Sequence, residues 1–329
     1  MGLSEWQLIR ESIWIALKIC LFLYLFVHGV RHIVLPDLFL CLKIEGDAPP
    51  IEAVDFESVS LEEKVMIRLI ASDIDGTLVR ESSHHINPEY FDVIRALKAK
   101  GIRFCACSGR QYKSILELFK PVADDIYFIA ENGSLLRTKN EILFQWAIEE
   151  KYIHPLIADI RRETDVDITV SKAECAYTEC GTHKNPYVYL RDAYKYAVED
   201  IYSLDYLSKV GVLKFSLYHP KDAEKSCEWL FKSFWNNKFK IVCSGANWVD
   251  MCAMNAGKGE AYALLQEYLD IPKEETIYFG DNMNDLTAFE ETGTSYTVAN
   301  ARSEVQHEAD IVAASYKQDG VLKVLKSFL

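Results

Sequence analysis

Residues 66–77, MIRLIASDIDGT, decide the fold of this chain. Residues 67–73 form an apolar run of strand length that stops at two aspartates, Asp73 and Asp75, followed by the flexible Gly76. A strand buried on both faces reads as such a run, and sheets of that kind are mostly parallel and covered by helices. Working outward, residues 88–100 carry Phe91, Ile94 and Leu97 at helical spacing, with Gly101 as a C-terminal stop. Residues 102–107 read as the next strand, 111–119 as a helix and 125–130 as a third strand, and the Asn132-Gly133 turn leads into an edge hairpin over 134–146. The βα rhythm returns at 259–268, 276–281, 285–291, 295–299 and 320–328. This alternation predicts an α/β fold with a mostly parallel sheet.

Between the two halves of that pattern the character changes. Strands expected at 167–170, 187–190, 212–218 and 239–243 alternate as a sheet with one wet face does, and helices at 152–162 and 223–235 can cover the other face. The expected organisation is a core of 66–148 and 247–329 with an α/β domain, 149–246, inserted into it. Residues 1–65 stand apart as an N-terminal extension. Within it, IWIALKICLFLYLFVHGV (13–30) has the length of a membrane span, interrupted by Lys18 and His28. It is expected either as a single N-terminal membrane anchor or as an interfacial or packed amphipathic helix. Met66, directly before the first strand, is also a candidate translation start, in which case 1–65 is a mis-assigned extension.

Composition bounds the function. With 329 residues, half of them hydrophobic, the chain can bury a large core, and a formal charge of −13 argues against an extended nucleic-acid surface. Nine cysteines without a repeated CxxC pair read as reduced thiols, which places the globular part in a reducing, cytoplasmic compartment. Cys105, Cys107, Cys243 and Cys252 fall in or beside predicted strands and are expected as packing residues.

Four polar clusters lie at the ends of predicted elements, where an open parallel sheet forms its ligand crevice. Asp73 and Asp75 pair one carboxylate able to attack with another able to move protons. Ser108-Gly109-Arg110 offers a hydroxyl and backbone N–H groups near a helix start, Lys258 a point charge, and GDNMND (280–285) oxygen ligands for a hard cation. Each alone has an ordinary reading as a turn, a helix cap or a solvated side chain. An EF-hand is excluded, because counting from Asp73 or Asp281 puts Leu78 or Leu286 at the required glycine and His84 or Thr292 at the required glutamate.

Together, DIDGT (73–77), SGR (108–110), Lys258 and GDNMND (280–285) resemble the four motifs of the haloacid dehalogenase superfamily, in the context of its Cof-type branch with an inserted α/β cap. The resemblance covers 66–329 and implies a Rossmann-like core and a Mg2+-dependent phosphatase acting on small phosphorylated metabolites, sugar phosphates or similar, through an aspartyl-phosphate. It implies that Asp73 is the nucleophile, Asp75 the general acid and base, and Lys258 a catalytic cation. It implies that Ser108, Gly109, Arg110, Thr77 and Asn284 bind phosphate or substrate, and that Asp73, Asp75 (by its carbonyl), Asp281 and Asp285 hold the metal, Asp285 as ligand or outer support. Tyr177, His183, Lys184, Tyr187 and Arg191 are candidate leaving-group contacts in the cap. The alternatives are a sugar phosphomutase using the same intermediate and a non-catalytic, membrane-attached binding protein.

Overall fold

The computed structural model describes residues 66–163, 165–180, 186–245 and 247–329. The N-terminal extension, with its apolar run 13–30, therefore lies outside the described residues. Among the described residues no helix is long and apolar enough to cross a membrane.

The described chain begins with β1 (Leu69–Asp73), β2 (Arg103–Cys107), β3 (Tyr127–Ala130), β4 (Leu135–Arg137) and β5 (Ile142–Gln145). A second group follows: β6 (Asp167–Lys172), β7 (Ala176–Glu179), β8 (Val198–Ile201), β9 (Val212–Tyr218), β10 (Phe239–Gly245) and β11 (Trp248–Ala253). The chain ends with β12 (Thr276–Gly280), β13 (Thr294–Val298) and β14 (Ile311–Ala313). They form an eight-stranded sheet ordered β14-β13-β12-β1-β2-β3-β4-β5 and a six-stranded sheet ordered β10-β11-β9-β6-β7-β8, so the second sheet runs past the expected boundary at 246, because β11 pairs on both sides with β10 and β9.

In the larger sheet every neighbouring pair from β14 to β3 is parallel, and β4 and β5 add the antiparallel hairpin at the edge. The central strands are buried on both faces, as their mostly apolar runs require, while β5 and β14 at the edges are largely exposed. Ile70, Phe104 and Phe128 pack on one side with Ile94, Ile115 and Leu322. Leu69, Ala71, Cys105 and Cys107 pack on the other with Tyr262, Leu265 and Val305. The chain moves from β1 to β2 and β3 on one side and returns as β12 and β13 on the other. The carboxyl ends of β1 and β12 thus flank a topological switch point, where an open sheet leaves a crevice.

The six-stranded sheet is antiparallel except where β7 meets β8. Period-2 alternation turns Ile168, Val170, Phe215, Leu217, Val249 and Met251 to one face, where Ile153, Ile157 and Ile160 of the helix Glu150–Glu163 cover them. One expected strand is a helix instead: residues 187–190 lie within Pro186–Asp192. Pro186 supplies a backbone angle suited to a first helical turn, and only Pro186 and Leu190 of this segment are buried, a spacing of one helical turn rather than of a strand. Of the cysteines expected to pack, Cys105, Cys107 and Cys252 are buried and Cys243 is half-buried, all as free thiols.

Gly133, with φ of +91°, brings the turn after β3 against the start of the helix Lys258–Leu269, and a Cβ there would lie 2.0 Å from the Gly257 carbonyl oxygen. Both partners are backbone, so neither can rotate away. Gly133→Ala is expected to cost at least ~2 kcal/mol in urea unfolding; an unchanged midpoint would contradict this close approach.

Candidate active site

β1 delivers Asp73 to the crevice and then turns sharply, with Gly76 N–H donating to the Val79 carbonyl at 2.8 Å. Gly76 has a φ of +85°, and a Cβ on it would stand 2.1 Å from Asp281 Oδ2. Only glycine therefore lets the loop after β1 approach the loop after β12. Asn300 Nδ2 donates to the Gly76 carbonyl at 2.7 Å and holds this turn from the β13 side.

At the centre, Lys258 Nζ donates to Asp73 Oδ1 at 2.6 Å and to Asp285 Oδ1 at 2.7 Å, and all three side chains are buried. Asp285 Oδ1 also accepts from Tyr278 Oη at 2.9 Å, while its Oδ2 accepts from the Asp281 and Asn282 backbone N–H groups, each at 3.0 Å. Each Asp285 oxygen thus holds two donors. Asp73 Oδ2 is the opposite case, a buried carboxylate oxygen without a hydrogen-bond partner. Oxygens of Asp73, Asp281 and Asp285 lie within 4.8 Å of one another.

The charges set the proton affinities. Burial pushes the Asp73 carboxyl well above the usual aspartate range; Lys258 pulls it down, and Asp285 and Asp281 add to the rise. Burial, and then Asp285, push Asp281 up to about 7. Burial alone lowers the Lys258 ammonium, but Asp285 and Asp73 outweigh it and hold the group well above the ordinary lysine value. Three carboxylates share one ammonium, and a buried oxygen left unpaired among them fits a hard cation with oxygen ligands.

Asp75 takes part in a different pairing. Arg110 Nε and Nη2 grip its two oxygens at 2.6 Å each, Ser82 N–H donates to Oδ1 at 2.8 Å, and Arg110 Nη2 also reaches the Ser83 carbonyl at 3.0 Å. Ser108 is buried at the end of β2, its Oγ accepting from Arg110 N–H at 3.1 Å. Thr77 Oγ1 donates to Asp281 Oδ1 at 3.2 Å, and Asn284 Nδ2 to Asn132 Oδ1 at 3.1 Å.

A cavity of about 300 Å3 gathers Asp73, Asp75, Ser108, Gly109, Arg110, Asp281 and Asn284 along its walls. Thr77 and Asp285 stand behind Asp281, and Lys258 behind Asp73. The ten sequence-predicted core residues are thereby brought to one place. Tyr177, Tyr187 and Arg191 do not line this cavity; Arg191 pairs with its neighbour Asp192, and His183 and Lys184 lie outside the described residues. Leu190, Tyr194, Tyr196 and Trp248 supply that wall instead. The segment holding the two tyrosines is tied to the core by Gln111, whose amide donates to the Ala197 carbonyl at 2.9 Å and accepts from its N–H at 2.8 Å.

Sequence reasoning missed a buried ionic network joining the two sheets. Lys214 Nζ donates to the Gly109 carbonyl at 2.7 Å and pairs with Glu131 at 2.8 Å and Asp250 at 3.5 Å. Asp250 Oδ2 accepts from Asn132 Nδ2 at 2.7 Å. Burial raises the Glu131 carboxyl and Lys214 opposes the rise. The available signal was a charge set inside an otherwise apolar strand, Lys214 in VLKFSLY and Asp250 in WVDMCA.

Residues 70–325 match the family model of haloacid dehalogenase-like hydrolases. The chain is 25% identical over 263 residues to the 5-amino-6-(5-phospho-D-ribitylamino)uracil phosphatase of Escherichia coli, covering 80% of this chain and 96% of that one. Its fold matches a solved protein of Eubacterium rectale at a TM-score of 0.74, with 37% identity and coverage of 80% and 100% of the two chains. A haloacid dehalogenase-like hydrolase of B. subtilis matches at 0.70, with 22% identity and coverage of 80% and 100%.

Asp281 gives a pH test. Its raised value means the folded protein holds this proton more tightly than the unfolded chain, so the stability it contributes is full below its ordinary value of 3.8 and is lost as pH rises to about 7. In EDTA, Asp281→Asn is expected to raise the melting temperature over wild type at alkaline pH, with the gain shrinking on acidification. A gain independent of pH in differential scanning fluorimetry would contradict this electrostatic account.

Proposed function

The chain belongs to the haloacid dehalogenase-like hydrolases, and from that premise we propose that it is a Mg2+-dependent phosphatase of small phosphorylated metabolites, sugar phosphates or similar, working through an aspartyl-phosphate on Asp73. The observation that carries this reading is the division of labour on Asp73: Lys258 fixes Oδ1, while Oδ2 is buried without a partner at the wall of the cavity. Relatives named as phosphatases, one of them for a compound with a phosphorylated ribityl chain, support the reaction class and a polyol-like leaving group.

In the first half-reaction the Asp73 carboxylate forms a bond to phosphorus as the bond to the leaving oxygen breaks. Asp75 gives that oxygen a proton, because an alkoxide leaves poorly without one. In the second half a water attacks the phosphorus, Asp75 takes its proton, and Asp73 is released with inorganic phosphate. The two-pronged grip of Arg110 suits the ionised, base form of Asp75, since a protonated carboxyl offers one oxygen fewer to accept. The acid form requires Arg110 to release one oxygen.

Asp73 and Asp281, with the Asp75 carbonyl, are the groups we assign to the cation. Asp285, whose oxygens already hold four donors, supports Lys258 and the loop after β12. The bound cation would neutralise the repulsion between a carboxylate and a phosphate dianion. Lys258 and Ser108 stabilise charge on the phosphoryl oxygens, Gly109 and Arg110 shape the phosphate loop, Thr77 orients Asp281, and Asn284 orients substrate. The six-stranded sheet acts as the cap, presenting its polar face to the leaving group and excluding water.

p-Nitrophenyl phosphate hydrolysis is expected to require Mg2+, to stop in EDTA, and to fall by at least ~1,000-fold in Asp73→Asn. Turnover persisting in that variant would contradict the assigned nucleophile.

A further inference from the structure

Register, rather than sequence distance, decides what the six-stranded sheet shows to the cavity. Thr169 on β6, Ser216 on β9 and Asp250 on β11 are direct partners across three adjacent strands, so their side chains form one row on one face. The opposite face holds the sheet's apolar core. All three residues line the cavity that contains Asp73 and Asp75, and they are 1%, 7% and 4% exposed.

Asp250 is fixed within the row, its Oδ1 accepting from Ser216 Oγ at 2.6 Å and its Oδ2 from Asn132 Nδ2 at 2.7 Å. Thr169 Oγ1 has no hydrogen-bond partner, and neither has Arg110 Nη1 on the same cavity. A buried hydroxyl without a partner loses free energy, and one that lines a cavity recovers it when a ligand brings the missing group. The charge of the row limits that group. Lys214 is already engaged by Glu131 and Asp250, and the cationic side chains of Arg110 and Arg302 line other parts of the cavity, so a carboxylate placed beside Thr169 would meet the Asp250 carboxylate without a free cation on this row. A neutral hydroxyl group, both donor and acceptor, satisfies Thr169, Ser216 and Asp250 alike.

We propose that Thr169, with Ser216 and Asp250 beside it, is a specificity-determining residue that hydrogen-bonds hydroxyl groups of the leaving group. The row then selects phosphorylated polyols and sugars over esters whose leaving group carries a carboxylate or lacks hydroxyls. This rests on the phosphatase reading.

The experiment measures kcat/KM of the full chain with Mg2+ on ribitol 5-phosphate, sorbitol 6-phosphate, 2-phosphoglycolate and p-nitrophenyl phosphate. Wild type is expected to prefer a polyol phosphate over 2-phosphoglycolate. Thr169→Val, which keeps the shape and removes the hydroxyl, is expected to lose about tenfold on the better polyol phosphate and to keep its rate on p-nitrophenyl phosphate. Thr169→Ser, which restores the hydroxyl, is expected to recover the polyol activity. Equal losses on both esters, no loss on the polyol ester, or no preference over 2-phosphoglycolate would each overturn the proposal. If wild type hydrolyses none of the four esters, the phosphatase reading itself falls.

Discussion

One buried ammonium organises this molecule. Lys258 stands out of water between Asp73 and Asp285 and offsets the cost of burying both carboxylates. The three residues come from the end of β1, the start of a helix and the loop after β12, so the ion pairs tie together the segments that the switch point of the sheet brings near. The balance is incomplete, because Asp281 adds a third carboxylate that Lys258 cannot neutralise. Burial and the charge of Asp285 raise both Asp73 and Asp281. A second positive charge would complete the set, and the unpaired Asp73 oxygen leaves a place for it.

A second ionic layer joins the two sheets. Lys214, from the middle of β9, reaches the Gly109 carbonyl in the loop after β2, and Asp250 on β11 holds Asn132, which in turn accepts from Asn284. The shape of the loop after β2 and the position of Asn284 therefore depend on side chains carried by the six-stranded sheet. Buried polar groups joined in this way are costly to disturb singly, since removing one leaves its partners unsatisfied. The same sheet face that makes these contacts also carries the hydroxyl row of Thr169 and Ser216, so the anchoring and the proposed substrate contact fall on one surface.

Much of this was legible in the sequence, for definite reasons. The strand before Asp73 is mostly apolar because both its faces are covered, and polar clusters stand out at the ends of such strands. Asp73, Ser108, Lys258 and Asp281 could thus be placed in one crevice without coordinates. The residues 187–190, YVYL, were misleading because aromatic and branched side chains favour strands, whereas Pro186 and one-sided burial favour the helix that forms. The charges of Lys214 and Asp250 were visible inside their strands, but their place beside Thr169 was not. Their alternation with apolar neighbours is that of any half-exposed strand, and only the cross-strand register places them side by side over the site.

The proposed reaction requires the carboxylate of Asp73 to accept the phosphoryl group. Borohydride quenching during turnover reduces an acyl phosphate to an alcohol, and mass spectrometry of the digested chain locates the change. The account predicts homoserine at position 73, formed only with substrate and Mg2+ present. An unmodified Asp73 under conditions where a phosphorylated enzyme accumulates, or reduction at another carboxylate, would contradict it.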